Sequence, residues 1–154
     1  MTNIGLVPIR NFAVVDPDKK IYRSAQPMYG YEYAWLKNRL GLKHIVNPRS
    51  ELNHDEKFAK AAGIDPVTYN VQDHFPPTLE QANEFIKLVK ENTDILFHCE
   101  HGHGRTSTFC VLARLATGLS LEDALTEERE LYGYEFKHQD QLDFLKTNFS
   151  TYKN

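Results

Sequence analysis

The stretch ILFHCEHGHGRTSTFCVLARLA, residues 95–116, constrains the chain more than any other. Ile95 to Cys99 is a short apolar run and reads as a buried strand. From Gly104 onward, Phe109, Leu112, Ala113 and Ala116 fall on one helical face, and Gly118 closes that helix. Between strand and helix stands only a short loop holding Gly102 and Gly104. A strand that turns straight into a helix is the repeating unit of α/β sheets.

The rest of the chain repeats this alternation. Ile21 to Ser24, after the turn-like Asp16-Pro17-Asp18, reads as a strand. Tyr31 to Leu40 is helix-like and closed by Gly41. His44 to Asn47 reads as a buried strand stopped at Pro48. Leu52 to Ala62 is helix-like and closed by Gly63, and Pro66 to Val71 is rich in β-formers. Thr78 and Gln81 form a capping-box pattern ahead of a stripe of Leu79, Ala82, Phe85, Ile86 and Val89. Ser120 caps a further helix with Leu121, Ala124, Leu125 and Leu131 on its apolar side. A last helix, from about His138 to Phe149, carries Leu142, Leu145 and Phe149. The expected fold class is α/β: a small, mostly parallel central sheet of about four or five strands, flanked by helices on both faces.

Composition fits one such domain spanning residues 1–154. With 154 residues and 41% hydrophobic content, a core can form without disulfide or metal staples. A net charge of −3 argues against a nucleic-acid partner but leaves room for a locally positive pocket. Two cysteines, Cys99 and Cys110, make no disulfide framework. The segment MTNIGLVPIRN lacks the features of a signal peptide, and no run approaches the length of a membrane span. A cytoplasmic, monomeric protein is expected, or an exported one if a leader has been removed.

The loop between strand and helix carries the chemistry. A loop entering a helix at the carboxyl end of a sheet strand points backbone N–H groups and a positive dipole end at an anion. Gly102 and Gly104 permit the backbone angles that let the amides of Glu100, His101, Gly102, His103 and Gly104 curl around an oxyanion. Arg105 can grip two phosphate oxygens with its planar fork. A helix N-terminus and nearby cations lower a thiol from about 8.5 into a range of about 3.5–7.5, so Cys99 is expected as a thiolate. A thiolate beside a phosphate ester suggests in-line attack on phosphorus and a phosphocysteine intermediate. Asp73, in the loop VQDHFPPT, is the candidate acid for the leaving alkoxide. Thr106 is placed to hydrogen-bond the sulfur and make it a better leaving group.

These residues carry a family resemblance. Cys99-x5-Arg105 followed by Thr106, with His98 ahead of it, resembles the cysteine phosphatase signature HCx5R(S/T). IYRSAQP resembles the start of compact dual-specificity phosphatases. DHFPPT together with HCEHGHGRTSTF resembles the protein-tyrosine-phosphatase-like phytases, with their DHxxP acid loop and HCExGxGRT. IVNPRSE resembles the IVDLRxE element, from which Asn47 and Pro48 depart. The resemblance implies a dual-specificity phosphatase-like fold and removal of phosphate from inositol polyphosphates with no metal or other cofactor. It makes Cys99 the nucleophile, Arg105 the phosphate clamp and Asp73 the acid and later the base for water. His74 then holds the acid or the substrate. A phosphoprotein is the alternative substrate, and a phosphate-binding module without turnover the reading from another class.

Other readings of the same residues compete. His98, Cys99, His101 and His103 could ligate a metal, but no second Cys/His pair stands elsewhere, and Gly102, Gly104 and Arg105 would go unexplained. His98 is expected to bond the loop backbone and support the thiolate. Arg49 could pair with Glu51 or another carboxylate, or touch substrate, and Arg23 is equally ambiguous. Lys137 and His138 read as a solvated edge. Cys110 reads as a core residue rather than a resolving thiol, and Tyr29, Tyr31, Tyr33 and Trp35 as packing. His101 and His103 flank the mouth of the cradle, where protonated rings attract a polyanion. Replacing both with Ala is therefore expected to raise KM for a polyphosphorylated substrate more at about pH 5 than at about pH 7.5. An equal rise at both would count against substrate contact.

Overall fold

The computed structural model describes residues 6–49, 55–72, 75–99, 105–132 and 139–153, with the side chains at 99, 131 and 132 outside that description. Among the described residues five strands form one sheet: β1 (Ala13–Asp16), β2 (Ile21–Ala25), β3 (His44–Arg49), β4 (Asp65–Val71) and β5 (Ile95–Cys99). Their order is β1-β2-β5-β3-β4. β2, β5, β3 and β4 run parallel, while β1 is antiparallel to β2. Among the same residues six helices connect or follow them: α1 (Gly30–Leu40), α2 (Asp55–Ala62), α3 (Leu79–Glu91), α4 (Arg105–Ala116), α5 (Leu121–Tyr132) and α6 (Gln139–Phe149). Among the described residues no helix is long and apolar enough to cross a membrane.

The period of two along each strand divides the core. Ile21, Val46, Ile95 and Phe97 face one cluster, which Phe85 of α3 and Phe109 of α4 fill together with residues of α5 and α6. Tyr22, Ile45 and Leu96 face the other, filled by Tyr33, Leu36 and Leu40 of α1 and Ala59 of α2. β5 is thus buried on both faces, which is why its sequence reads as a continuous apolar run. α4 is buried along its whole length, not on a single stripe, because it lies between β5 and the helices α3 and α5.

The helix ends follow their expected chemistry. Gln81 N–H donates to Thr78 Oγ1 (3.1 Å) and Thr78 N–H to Gln81 Oε1 (2.9 Å), completing the capping box. Gly41 takes φ 65°, and the N–H groups of Gly41 and Leu42 bond the carbonyls of Lys37 and Leu36. Asp123 N–H donates to Ser120 Oγ (3.2 Å), the cap expected for α5.

Several expectations need correction. Pro48 does not stop β3, which continues to Arg49. The pairing with β4 shifts register between Asn47 and Arg49, and Arg49 N–H donates to Asn47 Oδ1 (3.0 Å). A local irregularity tolerates a residue that lacks an N–H. β1 was not foreseen, because four half-buried residues on a sheet edge show no alternation. Leu79 is exposed and does not join the apolar stripe of α3. Tyr33 packs in the core and Trp35 against it, but Tyr29 and Tyr31 are exposed and stack on each other. Residues 52–54 and 138, expected to begin two helices, lie outside the described residues.

Phe109 packs edge-on against Phe85, with ring centroids 4.8 Å apart, and both are fully buried. Phe109→Ala is expected to cost about 3–5 kcal/mol in urea denaturation. Leu79→Ala, at the exposed first position of α3, should stay within about 0.5 kcal/mol.

Candidate active site

Because β2, β5, β3 and β4 are parallel, their carboxyl ends share one sheet edge. Ligands of α/β sheets bind along such an edge. Cys99 is the last residue of β5 and pairs with Ala25, the last of β2. α4 begins at Arg105, and its first turn contains no acidic residue to oppose an anion at its positive end. Arg105 is 3% exposed, and its Nη1 donates to the carbonyl of Val71 (2.9 Å), the last residue of β4. The guanidinium is therefore tied to the strand end ahead of the loop that carries Asp73. Thr106 is fully buried, and its Oγ1 has no hydrogen-bond partner among the described residues.

Arg49, at the end of β3, is buried on the same edge, with Nη1 3.5 Å from Gln26 Oε1. Asp73, His74, Glu100, His101, Gly102, His103 and Gly104 lie outside the described residues, as do Glu51, Lys137 and His138. For Cys99 the backbone alone is described.

His98 takes a partner that the sequence did not disclose. Its fully buried Nε2 lies 2.5 Å from Asp55 Oδ2, at the start of α2. Asp55 Oδ1 accepts from the Tyr33 hydroxyl (2.5 Å) and from Gln26 Nε2 (3.0 Å). Burial alone would push the Asp55 carboxyl up. The charge of His98 and hydrogen bonds from His98, Tyr33 and Gln26 outweigh burial and hold it below its usual range. Burial and the neighbouring carboxylate push the Tyr33 phenol up, so it stays a donor. The expectation that His98 bonds the loop backbone covers at most its other nitrogen. Nδ1 has no partner among the described residues. With Nε2 engaged by a carboxylate, His98 is also a poor candidate for the metal reading.

Arg23 resolves as a structural pair. Its Nη1 bonds both carboxylate oxygens of Glu128 on α5, with Oε2 at 2.6 Å, and Nη2 reaches Ser107 Oγ on α4 (3.3 Å). The pair is buried and ties β2 to α4 and α5. Removing one partner of such a pair costs about 3–5 kcal/mol, because the other is left as an uncompensated charge. Cys110 is a core residue as expected. Burial first, then Glu128, push its thiol up to about 12, against the lowering effect of Arg23 and Arg114.

Comparison with known proteins agrees with this geometry. A family model described as DSP-PTPase phosphatase fused to NAD+ kinase matches residues 9–147. The core catalytic domain of the PP-IP phosphatase SIW14 from S. cerevisiae, in complex with citrate, matches with a TM-score of 0.71 at 25% identity, covering 97% of this chain and 89% of that one. Tk-PTP in its active form matches with a TM-score of 0.75 at 24% identity, over 92% of this chain and 97% of that one. Kinase associated phosphatase, with its catalytic-site cysteine replaced by serine, matches with a TM-score of 0.68 at 18% identity, over 93% and 97%. The last two likenesses establish the fold alone.

The Asp55 shift has a definite sign. A carboxyl held below its ordinary value of 3.8 stabilises the fold above that value, and the contribution disappears as pH falls through the folded value. The stability gap between the parent and Asp55→Asn, measured by denaturation, should therefore narrow from about pH 5 to about pH 3. A gap that stays constant would remove Asp55 from the acid response.

Proposed function

Since the chain belongs to the family described as DSP-PTPase phosphatase fused to NAD+ kinase, and is thus a cysteine phosphatase of dual-specificity type, we propose that it hydrolyses phosphate monoesters through a phosphocysteine on Cys99, with inositol polyphosphates as substrate. The observation that carries the chemistry is the strand β5, ending at Cys99 and followed after five residues by a buried Arg105 at the start of α4.

In this reading the amides of residues 100–104 and the guanidinium of Arg105 receive the phosphoryl oxygens. The Cys99 thiolate attacks phosphorus in line, and Asp73 delivers a proton to the departing alkoxide. Asp73, now ionised, takes a proton from water as that water attacks the phosphocysteine. Phosphate leaves, and the sulfur departs as thiolate. The buried Thr106 hydroxyl supports the last step by hydrogen-bonding that sulfur. No metal or cofactor enters these steps. His74, His101, His103 and Arg49 are assigned to substrate contact.

The phytase-like motifs and the PP-IP phosphatase neighbour at 25% identity support the inositol substrate. One observation favours a phosphoprotein instead. Met28, Tyr29 and Tyr31 are exposed after β2, and Phe75 and Leu79 after β4, along the edge that holds Cys99. The described residues that follow these strands, 26–29, 72 and 75–78, include no Lys or Arg. A rim of that kind suits an aromatic phosphoester better than a polyanion.

Phosphate release from phytate, a phosphotyrosine peptide and an aryl phosphate, with chelator present, decides between them. Preference for phytate is the expected result, and preference for the peptide would transfer the assignment. Cys99→Ser should abolish release from all three. Asp73→Asn should slow alkyl ester cleavage by about 10²–10⁴-fold and spare the aryl phosphate, whose leaving group needs little proton help. Equal losses on both would deprive Asp73 of its role.

A further inference from the structure

We propose that Asp55 is a positioning residue for the nucleophile, acting through His98, the residue that precedes Cys99, by holding its imidazole in one tautomer and one orientation. The inference rests on the assignment of Cys99 made above, and it concerns Asp55, which no quoted motif contains.

The hydrogen-bond directions force the tautomer. Asp55 Oδ1 is occupied by two donors, the Tyr33 hydroxyl and the Gln26 amide. Oδ2 is left for His98 Nε2. A carboxylate oxygen only accepts, so Nε2 must carry its hydrogen. The Tyr33 hydroxyl also lies 3.1 Å from the Pro27 carbonyl, and the Gln26 amide 2.8 Å from the same oxygen. The Gln26 amide, with two hydrogens, is thus held by both Asp55 and the Pro27 carbonyl, while the single hydroxyl hydrogen of Tyr33 is the one given to Oδ1. Of the charged groups nearby, Arg49 on β3 reaches Gln26 from the opposite end, and Glu32 on α1 acts on Tyr33.

Nε2–H stays on the carboxylate, and the positive charge that His98 sets against Asp55 lies on the residue before the thiol, where a cation favours the thiolate. Asp55→Asn reverses the pattern. An asparagine that keeps the Tyr33 and Gln26 bonds made at the Oδ1 position places its oxygen there. Its NH2 then faces Nε2. The ring is driven to the opposite tautomer, with the hydrogen on Nδ1, and can no longer become a cation without a clash of donors. Exchanging the carboxylate that orients a catalytic histidine for an amide acts in the same way in serine proteases.

Three readouts on the full chain test this. In the parent, the ¹⁵N shifts of His98 should show Nε2 protonated across the accessible pH range. A bare Nε2 in the folded parent overturns the proposal without any variant being needed. In Asp55→Asn, verified as folded by its thermal transition, the hydrogen should move to Nδ1. Alkylation of Cys99 by iodoacetamide at about pH 6 should slow about tenfold, the effect of one unit in thiol ionisation. Cys110 does not interfere, because it is buried and its thiol is pushed up to about 12. Turnover should lose kcat with KM little changed. An alkylation rate equal to that of the parent overturns the proposal, whatever happens to turnover. A slowed alkylation in a protein that releases no phosphate from any ester would leave Asp55 as the positioning residue and sink the phosphatase reading instead.

Discussion

β5 must be buried on both faces and still deliver a polar pair, His98 and Cys99, to the edge of the sheet. Its position in the strand order, between β2 and β3, makes it the most enclosed strand. Its alternation sends Ile95 and Phe97 into one core and Leu96 into the other. The same alternation obliges His98 to enter an interior where an unpaired imidazole is costly, and α2 answers by bringing Asp55 to it. The residues around the strand end are arranged to satisfy that requirement.

A second buried charge lies on the other face. Arg23 of β2 stands beside Phe97 of β5 in the ladder, and its partner Glu128 comes from α5. The two pairs bracket the strand end. Arg23 with Glu128 and Ser107 ties β2 to α4 and α5, while His98 with Asp55 ties β5 to α2. Neither pair is efficient as a source of stability, because desolvation opposes the Coulomb gain. Both define position, since a mispositioned helix would leave a charge alone in the core.

Much of this was legible in the residues, and the remainder has physical reasons for having been hidden. Strands and helices with strong periodicity could be read directly, down to the Thr78–Gln81 cap and the Gly41 terminus. β1 escaped because an edge strand of four half-buried residues carries no pattern, and Pro48 misled because a register shift absorbs a missing donor. Asp55 sits in NHDEK, where an acidic residue at a helix start has an ordinary explanation in the helix dipole. Nothing local says that His98, 43 residues away in sequence, ends at its carboxylate. The ambiguity of Arg23 was of the same kind, since only the fold brings Glu128 to it. Long-range polar pairs leave no periodic trace.

The sealing of Cys110 has a chemical consequence. Between the chain's two cysteines, one is enclosed in apolar packing with its proton held tightly. A sulfenic acid formed by peroxide on Cys99 therefore has no internal thiol with which to condense. Its capture falls to a thiol from outside the chain or to a neighbouring backbone nitrogen; without one it proceeds to the sulfinic and sulfonic acids.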